Sequence, residues 1–157
     1  MPAKFIIDPG SIDLQTTIFG PEEIRHRNSQ RHEMEMLDRI VHFDAENATI
    51  AGVHVVREDA FWVRGHFPDR PILPGVLMIE TAGQLCSFYF GESLKSDEIL
   101  GFAACEDVRF RGVVRPGSEL LMVGEVTALR SKIARFSAQG YVDGERVFEG
   151  TVVGMKI

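Results

Sequence analysis

A histidine and a glutamate separated by fourteen positions are the best candidates in this sequence for proton-transfer chemistry. His66 lies in GHFPDRPILPG, and Glu80 lies in VLMIETAGQ directly after it. A neutral imidazole accepts a proton near neutral pH, and a protonated carboxyl group donates one. Either residue alone is more often structural than catalytic. Their combination across a proline-rich loop makes them candidates for a catalytic pair.

The segment from Val76 onward predicts a long helix that is apolar on almost every side, which is typical of a helix buried inside a domain. A carboxylate at Glu80 would be costly there unless it were paired or protonated. With a rotation of about 100° per residue around the helix axis, the polar and small residues form one seam along the helix. Such a seam would suit the wall of a slender cavity. It comprises Glu80, Gly83, Gln84, Ser87 and Gly91. The alternative is a structural glutamate satisfied by Gln84 and a backbone group.

The loop between the two residues contains Pro68, Pro71 and Pro74 within seven positions, and each proline fixes its own φ angle. We therefore expect a loop that holds one shape. Pro74 and Gly75 stand at the expected helix start, where unpaired N–H groups and the helix dipole suit an oxygen with partial negative charge. A polarised carbonyl is one candidate, and an ordinary rigid helix entry is the alternative.

Strand patterns lie on both sides of this helix. Two probable strands precede it, at 36–43 and 48–56, and four follow it, at 99–114, 118–130, 132–142 and 146–157. The last two are joined at Asp143-Gly144, a dipeptide that favours a tight hairpin turn. The pattern predicts an α+β fold in which a curved antiparallel sheet wraps the long central helix.

Composition limits the class of protein. The 157 residues fit one domain, and the net charge of −6 argues against nucleic acid as the main partner. Cys86 and Cys105 form neither a disulfide framework nor a metal-ligand spacing, so we expect no metal and a reducing compartment. With no signal peptide and no apolar run long enough for a membrane span, the expected location is the cytoplasm.

The segment GHFPDRPILPGVLMIETAGQ resembles the signature of the FabZ-type (3R)-3-hydroxyacyl-acyl carrier protein dehydratases, whose pattern is GHFPxxPxxPGVLxxEAxAQ. DVRFRGVVRPGSEL is similar to the family's RFRRPVVPGD element, and LDRI is similar to its VDRV. The resemblance covers about residues 31–155. It implies a hot-dog fold, with a dehydratase-like domain at 31–157 and an N-terminal extension or arm at 1–30. Within and just after that extension, the polar run EEIRHRNSQRHE at 22–33 could be a short helix or an extended arm.

The resemblance also implies roles. His66 and Glu80 match the family's catalytic pair, facing each other across the interface of a homodimer or a trimer of dimers. They would remove water from a 3-hydroxyacyl thioester to give a trans-2-enoyl thioester in fatty acid biosynthesis, without a cofactor. The Gly75 N–H would bind the thioester oxygen. The expected substrate tunnel and its support comprise Phe67, Pro74, Val76, Gly83 and Gln84.

The implied partner is an acyl carrier protein with a phosphopantetheine-linked acyl chain. Because such carriers are acidic, docking requires a local basic patch. The candidates are Arg109, Arg111 and Arg115, and a second possible cluster comprises Arg130, Lys132 and Arg135. A solvated strand surface is the alternative for each.

The sequence departs from the family pattern at residues 29–34, where SQRHEM keeps Arg31 but replaces the aromatic and proline positions. Two other functions stay open: a hot-dog thioesterase, which leaves His66 without a role, and a non-catalytic acyl-binding protein. A related isomerising family uses Asp as its acid and is disfavoured by Glu80. The acyl length and the choice between acyl carrier protein and coenzyme A also stay open.

Overall fold

One long helix lies against one face of a six-stranded sheet in the computed structural model, which describes residues 4–157. The elements are α1 (Pro21–Arg27), β1 (Arg39–Asp44), β2 (Thr49–Val55), α2 (Gly75–Leu94), β3 (Leu100–Phe110), β4 (Glu119–Leu129), β5 (Ile133–Val142) and β6 (Glu145–Lys156). Short 3₁₀ turns occupy Pro9–Ser11 and His32–Met34. The α+β layout predicted from the strand and helix patterns is confirmed.

The sheet has the strand order β1-β2-β4-β5-β6-β3, and every neighbouring pair is antiparallel. The β5–β6 hairpin turns at Asp143 and Gly144, whose φ angles are 50° and 79°, as the Asp-Gly dipeptide predicts. β3 lies at one edge and pairs with β6 alone among the described strands. One side of β3 therefore has backbone groups available for another strand.

Helix α2 forms the centre of the core, as its apolar pattern predicts. Leu85 and Phe88 are completely buried, and the helix packs mainly against β4 and β6. It ends at Lys95, which adopts a left-handed conformation and donates its backbone N–H to the Gly91 carbonyl. No helix within residues 4–157 combines the length and the hydropathy that crossing a bilayer requires.

A second apolar cluster covers the face of the sheet opposite α2. The sheet contributes side chains such as Val53 and Tyr141, and residues 6–14 cover them with Ile6, Ile7, Ile12 and Leu14. We call residues 4–20 the N-terminal arm; residues 1–3 of the expected extension lie outside the described part. Gln139 holds the arm because its Oε1 accepts from the Ile6 N–H at 2.8 Å and its Nε2 donates to the Lys4 carbonyl at 2.8 Å.

Replacing Gln139 by Ala should therefore loosen the arm. The substitution removes both backbone contacts and a hydrogen bond from the Tyr141 hydroxyl, at a side chain that is almost completely buried. We expect the free energy of unfolding to fall by about 1–3 kcal/mol, as measured by urea denaturation. We also expect faster proteolysis near Lys4. An unchanged denaturation midpoint would contradict the view that the arm is part of the folded domain.

Candidate active site

The imidazole of His66 is held in one tautomer by the loop that contains it. Its Nδ1 lies 2.8 Å from the carbonyl oxygen of Ile72, and a carbonyl oxygen can only accept a hydrogen bond. Nδ1 must therefore carry a proton, so the neutral ring has its unprotonated nitrogen at Nε2. The ring also stacks on Phe67, with centroids 4.3 Å apart. This geometry fixes which nitrogen is available as a base.

Backbone hydrogen bonds hold the loop in place, as expected from its prolines. The His66 N–H donates to the Trp62 carbonyl at 2.8 Å, and the Ile72 N–H donates back to the His66 carbonyl at 2.8 Å. Leu73 then donates to the Val114 carbonyl at 2.8 Å, which joins the loop to the segment after β3. His66 is thus carried by a loop that is held by its own backbone bonds and is joined to the segment after β3.

The other four histidines are placed differently. His26 and His32 are exposed, and the Nε2 of His42 is 3.0 Å from the Thr49 hydroxyl. His54 is buried, and burial lowers its pKa below the usual value. Of the five histidines, all of which lie within residues 4–157, only His66 combines a fixed tautomer with a position in the loop before α2.

Gly75 is the first residue of α2, and its N–H has no acceptor among residues 4–157. The Phe110 ring lies directly against it: a β-carbon at position 75 would be 2.8 Å from Phe110 Cε1. Any larger residue would have to displace that ring. The position therefore requires glycine for space and presents an unpaired donor at the positive end of the helix dipole.

The carboxyl group of Glu80 is partly buried and is held by Gln84 one turn later. Gln84 Nε2 donates to Glu80 Oε1 at 2.8 Å. The same Gln84 amide is bonded to the backbone of Met34 and Met36. The contact between Gln84 and Glu80 is the hydrogen bond expected of a structural glutamate, and it is present here together with an open cavity beside the carboxyl group.

That cavity has a volume of about 220 Å³ and lies between α2 and the edge of the sheet. It is lined by Glu80, Gly83 and Cys86 of the helix, by residues 99–102 and 152–154, and by Gln30. Burial raises the pKa of the Cys86 thiol to about 12, so this thiol is neutral at physiological pH. The cavity thus joins one carboxyl group to largely uncharged surroundings, as an acyl chain would require.

Only part of the predicted polar seam lines this cavity. A β-carbon on Gly83 would lie 2.4 Å from the Phe102 ring, so that ring occupies the space beside the glycine. Gly91 is covered by Arg27, and Gln84 is buried under residues 34–36. The expectation of one continuous cavity wall is wrong, because side chains and backbone from distant segments fill most of the seam.

The remaining predicted residues lie outside the cavity. Phe67 and Val76 are on the surface, with 68% of Val76 exposed, and Pro74 caps the start of α2. His66 is also absent from the lining, although Glu80 is part of it. Apart from Glu80 and Gly83, the residues that line the cavity are not among the site residues predicted from the sequence: Gln30, Cys86, 99–102 and 152–154. Cys86 follows Gly83 by three positions on α2, a helical spacing that indicates a shared face, whereas the lining residues outside the helix have no sequence period that relates them to Glu80.

The three basic candidates differ in their contacts. Arg111 forms an ion pair with Glu149 at 2.7 Å, whereas Arg109 and Arg115 have no acidic partner among residues 4–157. In the second cluster, Arg135 forms an ion pair with Glu106. Arg130 and Lys132 have no acidic partner within residues 4–157. Two of the three charges in each cluster are therefore available to a partner molecule.

Comparisons with known proteins agree with this architecture. A family model described as a FabA-like domain matches residues 28–151. The chain is 32% identical to the 3-hydroxyacyl-[acyl-carrier-protein] dehydratase FabZ of Clostridioides difficile (strain 630) over 133 residues, which cover 84% of this chain and 93% of the relative. It is 35% identical to the same enzyme from Caldicellulosiruptor saccharolyticus over 127 residues, covering 78% and 88%.

Among solved structures, the dehydratase heterocomplex ApeI:P from Xenorhabdus doucetiae matches with a TM-score of 0.75 at 16% identity, covering 85% of this chain and 90% of that chain. At this identity the match shows the fold alone, and it confirms the expected hot-dog architecture. Together with the sequence matches, it confirms the family resemblance. The chain belongs to the FabA-like family, among the FabZ-type dehydratases.

Proposed function

We propose that this protein is a hydro-lyase that converts (3R)-3-hydroxyacyl thioesters, carried by acyl carrier protein, to trans-2-enoyl thioesters in fatty acid biosynthesis. The observation that carries the proposal is the tautomer of His66. Because Nδ1 donates to the Ile72 carbonyl, Nε2 is left as the base. Two relatives, to which this chain is 32% and 35% identical, are named as dehydratases of this type.

The reaction begins at C2 of the substrate. His66 Nε2 accepts the C2 proton, and the electron pair of the broken C–H bond moves toward the thioester carbonyl. Negative charge then develops on the carbonyl oxygen. The unpaired N–H of Gly75 would donate to that oxygen, assisted by the helix dipole. Stabilising this enolate-like charge lowers the barrier to removing a weakly acidic proton.

The second half of the reaction is the departure of the hydroxyl group. The electron pair returns to form the C2–C3 double bond as the C3–O bond breaks, and Glu80 gives its proton to the leaving oxygen. Water and the enoyl thioester are the products. His66 has then gained one proton and Glu80 has lost one, so the net charge of the site is unchanged. Passing that proton back to the carboxylate restores the enzyme.

The catalytic pair would be completed by a second copy of the chain. The cavity beside Glu80 does not include His66 of the same chain. The free edge of β3 and the exposed side chains of Phe67, Val76, Phe110 and Val113 provide an apolar surface next to the loop. Surfaces of this kind mark interfaces. We therefore place His66 of the partner subunit opposite Glu80 in a homodimer, alone or within a trimer of dimers.

The acyl chain would enter the cavity beside Glu80. Gly83 admits the Phe102 ring, and Cys86 forms an apolar part of the wall. Gln84 supports Glu80 from behind, while Phe67, Pro74 and Val76 lie where the partner subunit would complete the tunnel. The proposed chain-length limit is thus set mainly by residues of α2 and β3.

Replacing Cys86 by Leu should shift the preferred substrate toward shorter acyl chains. The larger side chain would project into the 220 Å³ cavity, and a methylene that no longer fits is worth a factor of about ten or more in discrimination. We expect kcat/KM for the longest accepted acyl chain to fall by about that factor while a four-carbon substrate is affected little. Cys86→Ser is the control of nearly equal volume. An unchanged length profile would place the tail elsewhere.

For the carrier, we propose docking at Arg109 and Arg115, with Arg111 held at the edge of the patch by Glu149. Both unpaired guanidinium groups flank the segment that contacts Gly75 through Phe110. This position suits a carrier whose phosphopantetheine group must deliver a thioester to the start of α2. The free thiols of Cys86 and Cys105 fit a reducing compartment, and we place the reaction in the cytoplasm.

The function is tested by incubating the protein with a 3-hydroxyacyl-carrier thioester and following enoyl absorbance and free thiol together. Enoyl formation without thiol release supports dehydration. Thiol release alone would mean hydrolysis by a thioesterase, and neither product would mean an acyl-binding protein without catalysis. Either of those two outcomes overturns the proposal.

A further inference from the structure

We propose that the side-chain amide of Gln30 binds the 3-hydroxyl group of the substrate, the group that leaves as water. This inference rests on the proposed function, because it concerns the leaving group of that reaction. Gln30 lines the cavity beside Glu80. It lies within residues 29–34, the segment in which this chain departs from the family pattern, so the contact is a feature of this chain.

The fold makes no use of the Gln30 amide. Its Oε1 is buried and has no hydrogen-bond partner within residues 4–157, and its Nε2 has none in the same part of the chain. The backbone is different, because the Gln30 carbonyl accepts a hydrogen bond from Arg31 Nη1 at 2.7 Å. The main chain at this position is therefore held, whereas the side-chain amide remains available to another molecule.

An unpaired amide oxygen is unfavourable in such a place. A buried acceptor without a partner has lost its hydrogen bonds to water and has gained none in exchange. Native proteins leave few buried polar atoms in this condition. A donor on a bound substrate would satisfy Oε1. The amide can turn about its Cγ–Cδ bond to meet that donor, because no hydrogen bond within the described residues holds either end of it.

The walls of the cavity determine which substrate group supplies the donor. Besides Gln30, the lining side chains with polar groups are Glu80 and the neutral thiol of Cys86, and the others are hydrocarbon or glycine. The acyl part of the substrate carries one hydrogen-bond donor, the 3-hydroxyl group. That hydroxyl must also reach Glu80, which lines the same cavity. The two requirements together place it between Glu80 and Gln30.

A hydroxyl group in this position uses both of its hydrogen-bonding functions. Its O–H donates to Gln30 Oε1, and a lone pair on the same oxygen accepts the proton of Glu80. When the C3–O bond breaks, the oxygen keeps the electron pair of that bond, its original proton and the proton from Glu80, which together make one water molecule. Gln30 exchanges no proton. It orients the hydroxyl so that a lone pair faces the acid.

The test uses two ligands that differ only in the hydroxyl group, (3R)-3-hydroxybutyryl-pantetheine and butyryl-pantetheine. Four carbons leave no long tail to contribute to binding. Both are titrated into His66→Ala protein, in which turnover is stopped, with and without Gln30→Met, and the affinities are measured by calorimetry. A hydrogen bond of ordinary net strength changes an affinity by about tenfold. We expect Gln30→Met to reduce the preference for the hydroxylated ligand by about that factor.

Gln15→Met is the matched control, because Gln15 is exposed in the N-terminal arm and does not line the cavity. It should keep the parent preference. Since the Gln30 amide makes no hydrogen bond within residues 4–157, Gln30→Met should also keep the parent midpoint in urea denaturation. An unchanged preference would overturn the inference. An equal loss of affinity for both ligands would overturn it too, because Gln30 would then act only through the shape of the wall.

The active enzyme provides a second measurement. With His66 in place, Gln30→Met should lower kcat/KM for the 3-hydroxybutyryl thioester by about tenfold, because the lost hydrogen bond is to the reacting hydroxyl. If the parent protein formed no enoyl product, the proposed function would fail. The comparison of the two ligands needs no turnover, so it still decides whether Gln30 recognises the hydroxyl. The two failures are therefore distinguishable.

Discussion

Replacing His66 by Ala is expected to lower kcat/KM for dehydration by about 10²- to 10⁴-fold, the contribution typical of a general base. The same range is expected for Glu80→Gln, which keeps the shape of the side chain but removes the acidic proton. The physical reason is that each variant deletes one of the two proton transfers. The measurement is the initial rate of enoyl absorbance with purified, folded protein.

Two matched controls make this result specific. His42→Ala removes a histidine of β1 whose Nε2 lies 3.0 Å from the Thr49 hydroxyl, and Glu92→Gln removes another carboxylate of α2, one that pairs with Arg27 and Lys95. Neither lies at the proposed site, so both should keep nearly the full rate. A His66→Ala enzyme as fast as its parent would remove the base from the mechanism and, with it, the role assigned to the Ile72 carbonyl.

The local features of the site could be predicted from sequence because local chemistry determines them. The three prolines that follow Phe67 indicate a loop of one shape, and the structure holds that loop by backbone bonds at His66 and Ile72. The apolar run after Pro74 predicts a buried helix, and α2 begins at Gly75. Each of these predictions needs only neighbouring residues.

The surroundings of Glu80 could not be predicted in the same way. Met34 and Met36 reach Gln84 across about 50 positions of sequence, through backbone groups that no side-chain pattern encodes. Phe102 fills the space beside Gly83 because β3 crosses the helix there. A helical projection displays the seam of α2 but not the segments that cover it, so it cannot show that only Glu80 and Gly83 of the seam line the cavity.

The N-terminal arm illustrates the same limit. Its apolar residues, such as Ile6 and Ile12, follow no clear strand or helix period, yet they cover the outer face of the sheet. The holding contacts come from Gln139, more than 130 positions away. Tertiary contacts at such separations depend on the completed sheet, and the local sequence pattern of neither segment predicts them.

The proposed placement of His66 and Glu80 in different subunits of one site leads to the second large effect. When inactive His66→Ala protein is mixed with inactive Glu80→Gln protein and the subunits are allowed to exchange, activity should reappear. A dimer with one subunit of each kind has one site with both substitutions and one site with none. Random exchange places half of the protein in such dimers, so about a quarter of the parent activity is expected.

Mixing without subunit exchange is the control, since two stable homodimers contain no intact site. A double variant carrying both substitutions, mixed with either single variant, should also remain inactive. If His66 and Glu80 of one chain formed the site together, no mixture of the single variants could restore it, and the rate would stay at the level of the separate proteins. Recovered activity would therefore assign the exposed surface around Phe67, Val76 and the free edge of β3 to the interface that brings base and acid together.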